Sequence, residues 1–169
     1  MKIVSWVDPY TNESLEETDT YLTHNDTKYP IINGVPKFVK ENSDDPQYDI
    51  EKCFSYQWTE SNFGQPDKFS DDDIKKDVIE TMDLTDDDLS LFNDKIVLDV
   101  GVGSGASSRL WAPRAKEFHG VDIGNGVYRA KNTLNNSVEN PILSHSDLHH
   151  LPYPDESFDV IVSNGVLHH

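Results

Sequence analysis

The spacing of apolar residues changes near residue 95 of the chain. Beyond that point, short and nearly continuous apolar runs alternate with segments in which apolar residues recur every three or four positions. The runs predict buried strands, and the segments between them predict helices. We predict strands at Ile96–Val100, Glu117–Val121, Ile142–His145 and Phe158–Ser163, and helices at Ser104–Ala112 and Gly126–Asn135. This alternation predicts an α/β fold with a parallel, doubly wound sheet that is covered on both faces.

The first 45 residues have little helical periodicity and many turn-forming residues. Asn33-Gly34 lies between β-prone residues, and this dipeptide favours a tight hairpin turn. Residues 1–45 are therefore interpreted as a small β-rich module that precedes the α/β unit at residues 95–169.

The intervening residues 46–94 contain several aromatic residues, which predict a linker anchored onto the next unit, with substrate stacking as an alternative. Acidic clusters follow at 71–73 and 86–88, preceded by Ser70 and Thr85. A Ser or Thr cap followed by acids predicts a helix start, because acids stabilise the first turn. Loops that bind hard cations instead alternate ligands with spacers. The clusters therefore predict two helix starts, and no metal site is predicted.

The chain of 169 residues has 14 Lys and Arg against 31 Asp and Glu, which gives a formal net charge of −17. This charge repels nucleic acid and anionic membranes at long range, and it excludes a general polyanion binder. The single cysteine, Cys53, excludes an intramolecular disulfide and fits a reducing compartment. No apolar stretch approaches the roughly 20 residues of a membrane-spanning helix, and the N-terminus lacks a signal-peptide pattern. We expect a cytoplasmic protein.

A glycine-rich loop follows the first predicted strand of the α/β unit, with Asp99 before Gly101, Gly103 and Gly105. Glycines let the backbone turn tightly and approach a ligand closely. Asp122 ends the next strand about 20 residues after the first glycine, where a carboxylate can accept hydrogen bonds from both hydroxyls of a ribose. The combination predicts a nucleoside-binding site.

Asp147 and Leu148 follow the third predicted strand. Asp147 can accept a hydrogen bond from the amine of an adenine that lies beside Leu148, although a turn or helix cap is an alternative role. Both NAD and S-adenosylmethionine (SAM) fit the glycine pattern and Asp122. The negative charge of Asp99 beside the loop opposes a pyrophosphate and favours the ammonium and sulfonium groups of SAM.

Three segments in order, IVLDVGVGSG, HGVDIGNG and SHSDLHHLPYPDESFDVIVSNGVLHH, resemble the class I SAM-dependent methyltransferases of the type 11 group. The resemblance covers about residues 95–169 and implies a Rossmann-like sheet with SAM as cofactor. It implies that the glycine loop holds the methionine part of SAM, that the end of the second strand holds the ribose and that the segment after the third holds the adenine. The loop after the fourth strand would line the methyl-transfer side. The implied cofactor-binding residues are Asp99, Gly101, Gly103, Gly105, Asp122, Ile123, Asp147, Leu148 and Asn164.

The resemblance implies methyl transfer from SAM to an unidentified small-molecule acceptor. His168 and His169 lie near the implied methyl-transfer side and are the catalytic candidates. Two alternatives stay open: an NAD-binding domain of the oxidoreductase type, and a non-catalytic SAM-binding or regulatory remnant. Neither nucleic acid nor a membrane is expected as a partner.

The sheet of these methyltransferases has about seven strands, and the predicted strands correspond to its first four. The fourth would then be an open apolar edge, which invites pairing. We expect either the N-terminal part of a longer enzyme, or a protein that completes its sheet by self-association or with a partner.

The segment YPIINGVPKFV is similar to the end of a small zinc-ribbon-like domain that accompanies some methyltransferases. In that domain two cysteine pairs precede this segment, whereas no cysteine precedes it here. A structural zinc site needs four thiolate or imidazole ligands. The module is therefore expected to be a metal-free version.

Overall fold

The computed structural model of the protein describes residues 3–39, 52–56, 70–84 and 87–167. None of the helices in these ranges is both long and apolar enough to cross a bilayer. The strands are β1 (Glu16–Glu17), β2 (Tyr21–His24), β3 (Thr27–Ile32), β4 (Val35–Pro36), β5 (Ile96–Val100), β6 (Glu117–Asp122), β7 (Ile142–His145) and β8 (Val160–Val162). The helices are α1 (residues 52–56), α2 (Asp71–Met82) and α3 (Gly126–Leu134), and 3₁₀ segments cover Asp87–Phe92, Ser108–Leu110 and Ala112–Arg114.

The N-terminal strands form an antiparallel sheet in the order β1-β2-β3-β4. The hairpin predicted at Asn33-Gly34 is confirmed, because β3 pairs with β4 across this turn. Both turn residues have positive φ, 51° and 74°, as a type I′ turn requires. A second hairpin joins β2 and β3 through Asn25-Asp26, a turn that the sequence analysis did not single out.

The second sheet is parallel throughout, in the order β7-β6-β5-β8. β5 and β7 have the predicted bounds, and β6 extends to Asp122. The strand predicted at Phe158–Ser163 is confirmed only at its centre, Val160–Val162. Phe158 lies outside the strand, and its ring packs edge-on against His119 and Tyr153.

The capped helix predicted after Ser70 is confirmed as α2. The Ser70 hydroxyl accepts a hydrogen bond from the Asp73 N–H at 3.2 Å, and the Asp73 carboxylate accepts one from the Ser70 N–H at 3.1 Å. The acids at 86–88 lead into a 3₁₀ segment instead of the predicted helix, and their side chains lie outside the described residues. α3 begins as predicted, but the side chain of Asn125 at its N-cap position makes no capping hydrogen bond.

The helix predicted at Ser104–Ala112 is wrong, because two short 3₁₀ segments take its place. Gly103 and Gly105 have φ of 54° and 76°, so the chain stays non-helical to that point. Pro113, which has no N–H to donate, then falls within the second 3₁₀ segment. The left-handed glycines and this proline thus bound the stretch, which forms 3₁₀ turns instead of an α-helix.

The two faces of the parallel sheet are covered differently. Helices and 3₁₀ segments cover one face, in an apolar cluster that includes Val97 and Trp111. The N-terminal module covers the other face, where Trp6 and Phe38 pack with Leu98. No residue from a described helix belongs to this second cluster, so this face departs from the doubly wound expectation. The connection between β7 and β8 has no helix, and the β-rich module occupies the face instead.

Glu117, at the start of β6, fastens the N-terminal segment to the sheet. Its carboxylate accepts hydrogen bonds from the N–H groups of Ile3 and Val4, the latter at 2.9 Å, and lies 2.9 Å from Nε2 of His119. Burial raises the pKa of Glu117, but His119 and the two amides outweigh it and hold the pKa below its usual value. The negative charge is therefore compensated where the module meets the sheet.

Asp8 organises a loop of the N-terminal module. Its carboxylate accepts hydrogen bonds from the N–H groups of Tyr10 and Thr11 at 2.9 and 3.0 Å, and from the Tyr29 hydroxyl at 3.0 Å. Burial raises the pKa of Asp8, but these hydrogen bonds outweigh it and lower the pKa. In the described ranges, no group of three or more His, Cys, Asp and Glu could hold a metal ion.

Candidate cofactor-binding site

The glycine-rich loop begins where β5 ends, and two of its positions accept only glycine. Gly101 has φ of 83°, and a Cβ there would lie 2.1 Å from the Val166 side chain. Gly105 has φ of 76°, and a Cβ there would lie 3.1 Å from Leu134 of α3. A side chain would be strained at both φ values; at Gly101 it would also clash, and at Gly105 it would crowd Leu134. The loop is thus packed closely between α3 and the segment after β8.

Asp122, at the end of β6, connects the glycine loop to the next turn. One carboxylate oxygen accepts a hydrogen bond from the Gly103 N–H at 2.7 Å, and the other accepts one from the Gly124 N–H at 2.7 Å. Burial raises the pKa of Asp122 to about 6, and the two amides oppose this rise. Each oxygen of an ionised carboxylate can accept a further hydrogen bond, so both remain able to accept from a ligand.

A cavity opens at the carboxyl ends of the parallel strands. This is the place where ligands bind in open α/β sheets. Its wall combines apolar side chains, such as Val100 and Val121, with polar groups. Most of the predicted cofactor residues line this one cavity: Gly101, Asp122, Ile123, Asp147, Leu148 and Asn164. We call it the nucleoside cavity. Gly103 and Gly105 do not line it. The Gly103 N–H donates a hydrogen bond to Asp122, and Gly105 packs against α3.

Asp147 is already engaged by the histidines that follow it. Its Oδ1 accepts a hydrogen bond from the His149 N–H at 2.9 Å and lies 3.0 Å from His149 Nδ1. Its Oδ2 lies 3.6 Å from Nδ1 of His150, beyond hydrogen-bond distance. Asp147 therefore shapes its own turn as well as the cavity wall, and Oδ2 is the oxygen left to accept from a ligand.

A second cavity, of about 400 Å³, lies on the other side of the glycine loop and contains Asp99. It shares Phe54, Gly101 and Asn164 with the nucleoside cavity, so the two are neighbours. Burial raises the pKa of Asp99 to about 7, and a hydrogen bond from the Ser108 hydroxyl opposes the rise. We call this the loop cavity. The carboxyl group of Asp99 in this cavity titrates near neutral pH, and when ionised it can pair with a cation.

Phe54 is a site residue that the sequence analysis did not identify. It was only one of several aromatics in the linker, whereas in the structure it lines both cavities. Its helix, α1, is held in place because the Ser55 hydroxyl accepts a hydrogen bond from the Asn125 N–H at 2.9 Å. Gly124 permits this approach, since a Cβ there would lie 3.1 Å from the Ser55 nitrogen. No periodic signal in the sequence indicates this contact.

The catalytic candidates His168 and His169 lie outside the described residues. The roles of the predicted cofactor residues toward a ligand also stay predictions, although all of them except Gly103 and Gly105 line one of two adjoining cavities.

Comparison with known proteins adds evidence for the same segment. The methyltransferase domain family model matches residues 98–169. Residues 98–169 are thus similar to the SAM-dependent methyltransferases. This family uses SAM as its methyl donor, and the glycine loop, Asp122 and Asp147 all fall within the matched methyltransferase segment.

Three curated methyltransferases are similar to this chain. A malonyl-[acyl-carrier protein] O-methyltransferase of Halorhodospira halophila is 37% identical over 73 residues, which cover 42% of this chain and 25% of that protein. The uncharacterized methyltransferase YcgJ of Bacillus subtilis is 32% identical over 75 residues, 43% of this chain and 30% of that protein. Protein arginine N-methyltransferase 1 of Schizosaccharomyces pombe is 33% identical over 98 residues, 54% of this chain and 29% of that protein. The matched segment thus spans less than a third of each relative's length.

Proposed function

We propose that this chain binds SAM and supplies the cofactor-binding part of a methyltransferase that acts on a small-molecule acceptor. The observation that carries the proposal is the position of Asp122. Its buried carboxylate sits at the carboxyl end of β6, is bonded to the glycine loop through Gly103, and lines the same cavity as Asp147 and Leu148. The Asp122 carboxylate, the glycine loop and the proposed adenine-binding residues Asp147 and Leu148 therefore lie around the nucleoside cavity.

In the proposed arrangement the two cavities hold the two ends of SAM. Asp122 accepts hydrogen bonds from the ribose hydroxyls, and Asp147 accepts one from the adenine amine beside Leu148. The ammonium end lies in the loop cavity near Asp99, and Asn164 lies between the two cavities on the methyl-transfer side. The support is that Gly101, Phe54 and Asn164 line both cavities, so a ligand that follows the loop passes from one to the other.

When bound, SAM would supply a methyl group that is activated by its positively charged sulfur. This methyl group would be transferred in line to the acceptor, and the sulfur would be left as a thioether. The chain's own residues then bind and orient rather than react. The glycine loop and Asp122 fix the position of the nucleoside, Asp99 compensates positive charge, and Phe54 lies beside the ligand in both cavities. His168 and His169 stay the candidates for a group that faces the acceptor.

An NAD-binding function is supported less well. A pyrophosphate binds where a glycine loop opens an α-helix, because the helix N-terminus offers free N–H groups. Here the loop leads into a three-residue 3₁₀ segment, Ser108–Leu110, and the buried Asp99 lies beside it. This arrangement favours a cationic group over a pyrophosphate.

We also propose that the four described parallel strands are part of the larger methyltransferase sheet, in which a further strand pairs with the free edge of β8. In the described part of the chain β8 is at the sheet edge, and Ile161 in its centre is 62% exposed. An exposed apolar edge strand is prone to pair with another strand. The pairing strand comes from a continuation of the enzyme, from a second copy or from a partner protein.

The direct test is calorimetry of the full chain with SAM and with NAD. We expect SAM to bind, and Asp122→Ala to abolish binding because the ribose loses both acceptors. Asp26→Asn, in the exposed β2–β3 turn, is the matched control and should bind like the wild type. Binding of NAD without any response to SAM would overturn the proposal. SAM binding without methylation of any acceptor, even with candidate partners, would instead favour the non-catalytic remnant.

A further inference from the structure

A further cavity, of about 560 Å³, lies between the N-terminal module and the methyltransferase segment. The module contributes Ile31 and Gly34 to its wall, α3 contributes Lys131, and β7 contributes Ile142. Ile142 is at the amino end of its strand, whereas the nucleoside cavity lies at the carboxyl ends, and the two cavities share no lining residue in the described part of the chain. Clefts between structural units of this size are common places for small ligands. We call it the module cavity.

Lys131 brings a positive charge without a compensating group into the module cavity. A Cβ at Gly34 would lie 3.7 Å from its Nζ, so the side chain reaches the hairpin turn of the module. Among the described residues Lys131 has neither an ion-pair nor a side-chain hydrogen-bond partner, and burial alone lowers the pKa of its amine. Proteins normally pair a charge that is withdrawn from water. Because the chain has 31 acids against 14 bases, a partly buried lysine without a carboxylate beside it is unexpected.

The rest of the wall specifies the charge and the body of the missing partner. Lys131 is the one basic residue among the described lining residues, and the exposed acids Glu17 and Asp19 also line the cavity. Two acids near one cation oppose a phosphate or a dianion, so a single carboxylate fits best. Ile31 and Ile142 are partly buried and give the cavity apolar surface. They favour a hydrocarbon chain or ring beside the carboxylate.

We propose that the module cavity binds a small monocarboxylic acid with an apolar body, whose carboxylate pairs with Lys131. The ligand contacts the module at Ile31 and Gly34 and the methyltransferase segment at Lys131 and Ile142, so its binding stabilises the contact between these two parts. This site is separate from the proposed cofactor site, and the inference does not rest on the proposed function.

The test uses octanoate as the probe, 1-octanol as a neutral ligand of the same chain length, and inorganic phosphate as an anion without an apolar body. In the ¹⁵N-labelled full chain, we expect octanoate to shift the amide signals of Gly34 and Ile142. The signal of Gly101, which lines the nucleoside cavity, should stay in place. Octanol should shift the Gly34 and Ile142 signals only at higher concentration, and phosphate should leave them unchanged.

Calorimetry with a charge-removing variant tests the pairing with Lys131. Lys131→Met keeps an unbranched apolar side chain and should bind octanoate about tenfold more weakly, because a hydrogen bond to a charged group is lost. Its affinity for octanol should change by less than about twofold. Lys76→Met, on α2 where the Lys76 side chain is 74% exposed, is the matched control and should bind octanoate like the wild type. Thermal unfolding verifies that each variant is folded.

The outcomes separate this inference from the proposed function. The inference is wrong if millimolar octanoate leaves the Gly34 and Ile142 signals in place, if it shifts Gly101 instead, or if phosphate shifts the same signals as strongly. It is also wrong if folded Lys131→Met binds octanoate as tightly as the wild type. Octanoate binding at Gly34 and Ile142 without any response to SAM would support this inference while the proposed function fails.

Discussion

The imidazole Nε2 of His145 lies 2.7 Å from the carbonyl oxygen of Ile123, which connects β7 to the rim of the nucleoside cavity. A carbonyl oxygen only accepts, so Nε2 carries the proton. Nδ1 lies 3.1 Å from the Tyr128 hydroxyl on α3, within hydrogen-bond distance. This relay from Tyr128 through the imidazole of His145 fixes the backbone position of Ile123.

Tyr128→Phe should loosen this relay. We expect the free energy of unfolding to fall by about 1 kcal/mol, because one buried hydrogen bond is lost. SAM binding should weaken by about twofold to fivefold, because Ile123 is held less firmly. Urea unfolding and calorimetry measure the two effects, and Tyr21→Phe on the N-terminal sheet is the control. An unchanged unfolding midpoint for Tyr128→Phe would contradict the relay.

Asp99 should make the ligand-free protein less stable as the pH rises. Its pKa in the folded state is about 7, above the ordinary value of 3.8, so the folded protein keeps a proton that the unfolded chain has lost. Stability from this group is therefore present below about pH 4 and is lost as the pH rises through about 7. Asp99→Asn stays neutral, and we expect it to be more stable than the wild type at pH 8 by about 2–4 kcal/mol.

Thermal unfolding between about pH 5 and pH 8 measures this difference, which should shrink toward the acidic end. Asp26→Asn removes an exposed acid and should follow the wild-type pH dependence. Equal stability of Asp99→Asn and the wild type at pH 8 would show that Asp99 is ionised there without cost.

Asp8 should make the module more stable as the pH rises, whereas Asp99 makes the protein less stable. Its folded-state pKa is lowered, so its contribution is present above the ordinary aspartate pKa and is lost as the pH falls through the folded value. Asp8→Asn should cost about 1–3 kcal/mol at pH 7 and little below about pH 3. Urea unfolding at both pH values tests this, with Asp19→Asn as the control.

We also expect a chelator to leave the melting temperature unchanged, and a chelator-induced drop would show a bound metal.

Glu117→Gln should release the start of the chain from the sheet. The amide side chain keeps one acceptor oxygen, whereas the carboxylate serves Ile3 and Val4 with two. Hydrogen exchange at the Val4 N–H should become about tenfold faster, which corresponds to about 1.4 kcal/mol. Glu139→Gln at an exposed position is the control, and unchanged exchange at Val4 would show that packing alone holds the segment.

The sequence by itself determined the features that depend on neighbouring residues. β5 and β7 follow from apolar runs, α2 from the Ser70 cap, and the hairpin from Asn33-Gly34, because chain period and turn chemistry act over a few residues. The glycine loop and Asp122 were also predicted, since a strand end followed by glycines and a later acid is a local pattern.

The helix predicted at Ser104–Ala112 does not form, and the sequence itself contains part of the reason. Gly101, Gly103 and Gly105 lie in the left-handed region and Pro113 falls within the second 3₁₀ segment, so the stretch predicted as a helix is interrupted at both ends. Trp111 is fully buried and Leu110 partly buried, although the chain around them forms 3₁₀ turns and no α-helix.

Only the tertiary structure decided which distant segments meet. It placed Trp6 and Phe38 on the second face of the sheet, set Phe54 across both cavities, and brought Lys131 of α3 to the hairpin turn at Gly34. None of these contacts has a sequence period, because they join residues far apart in the chain. They depend on the shape of the packed surfaces, which exists only once the strands and helices have come together.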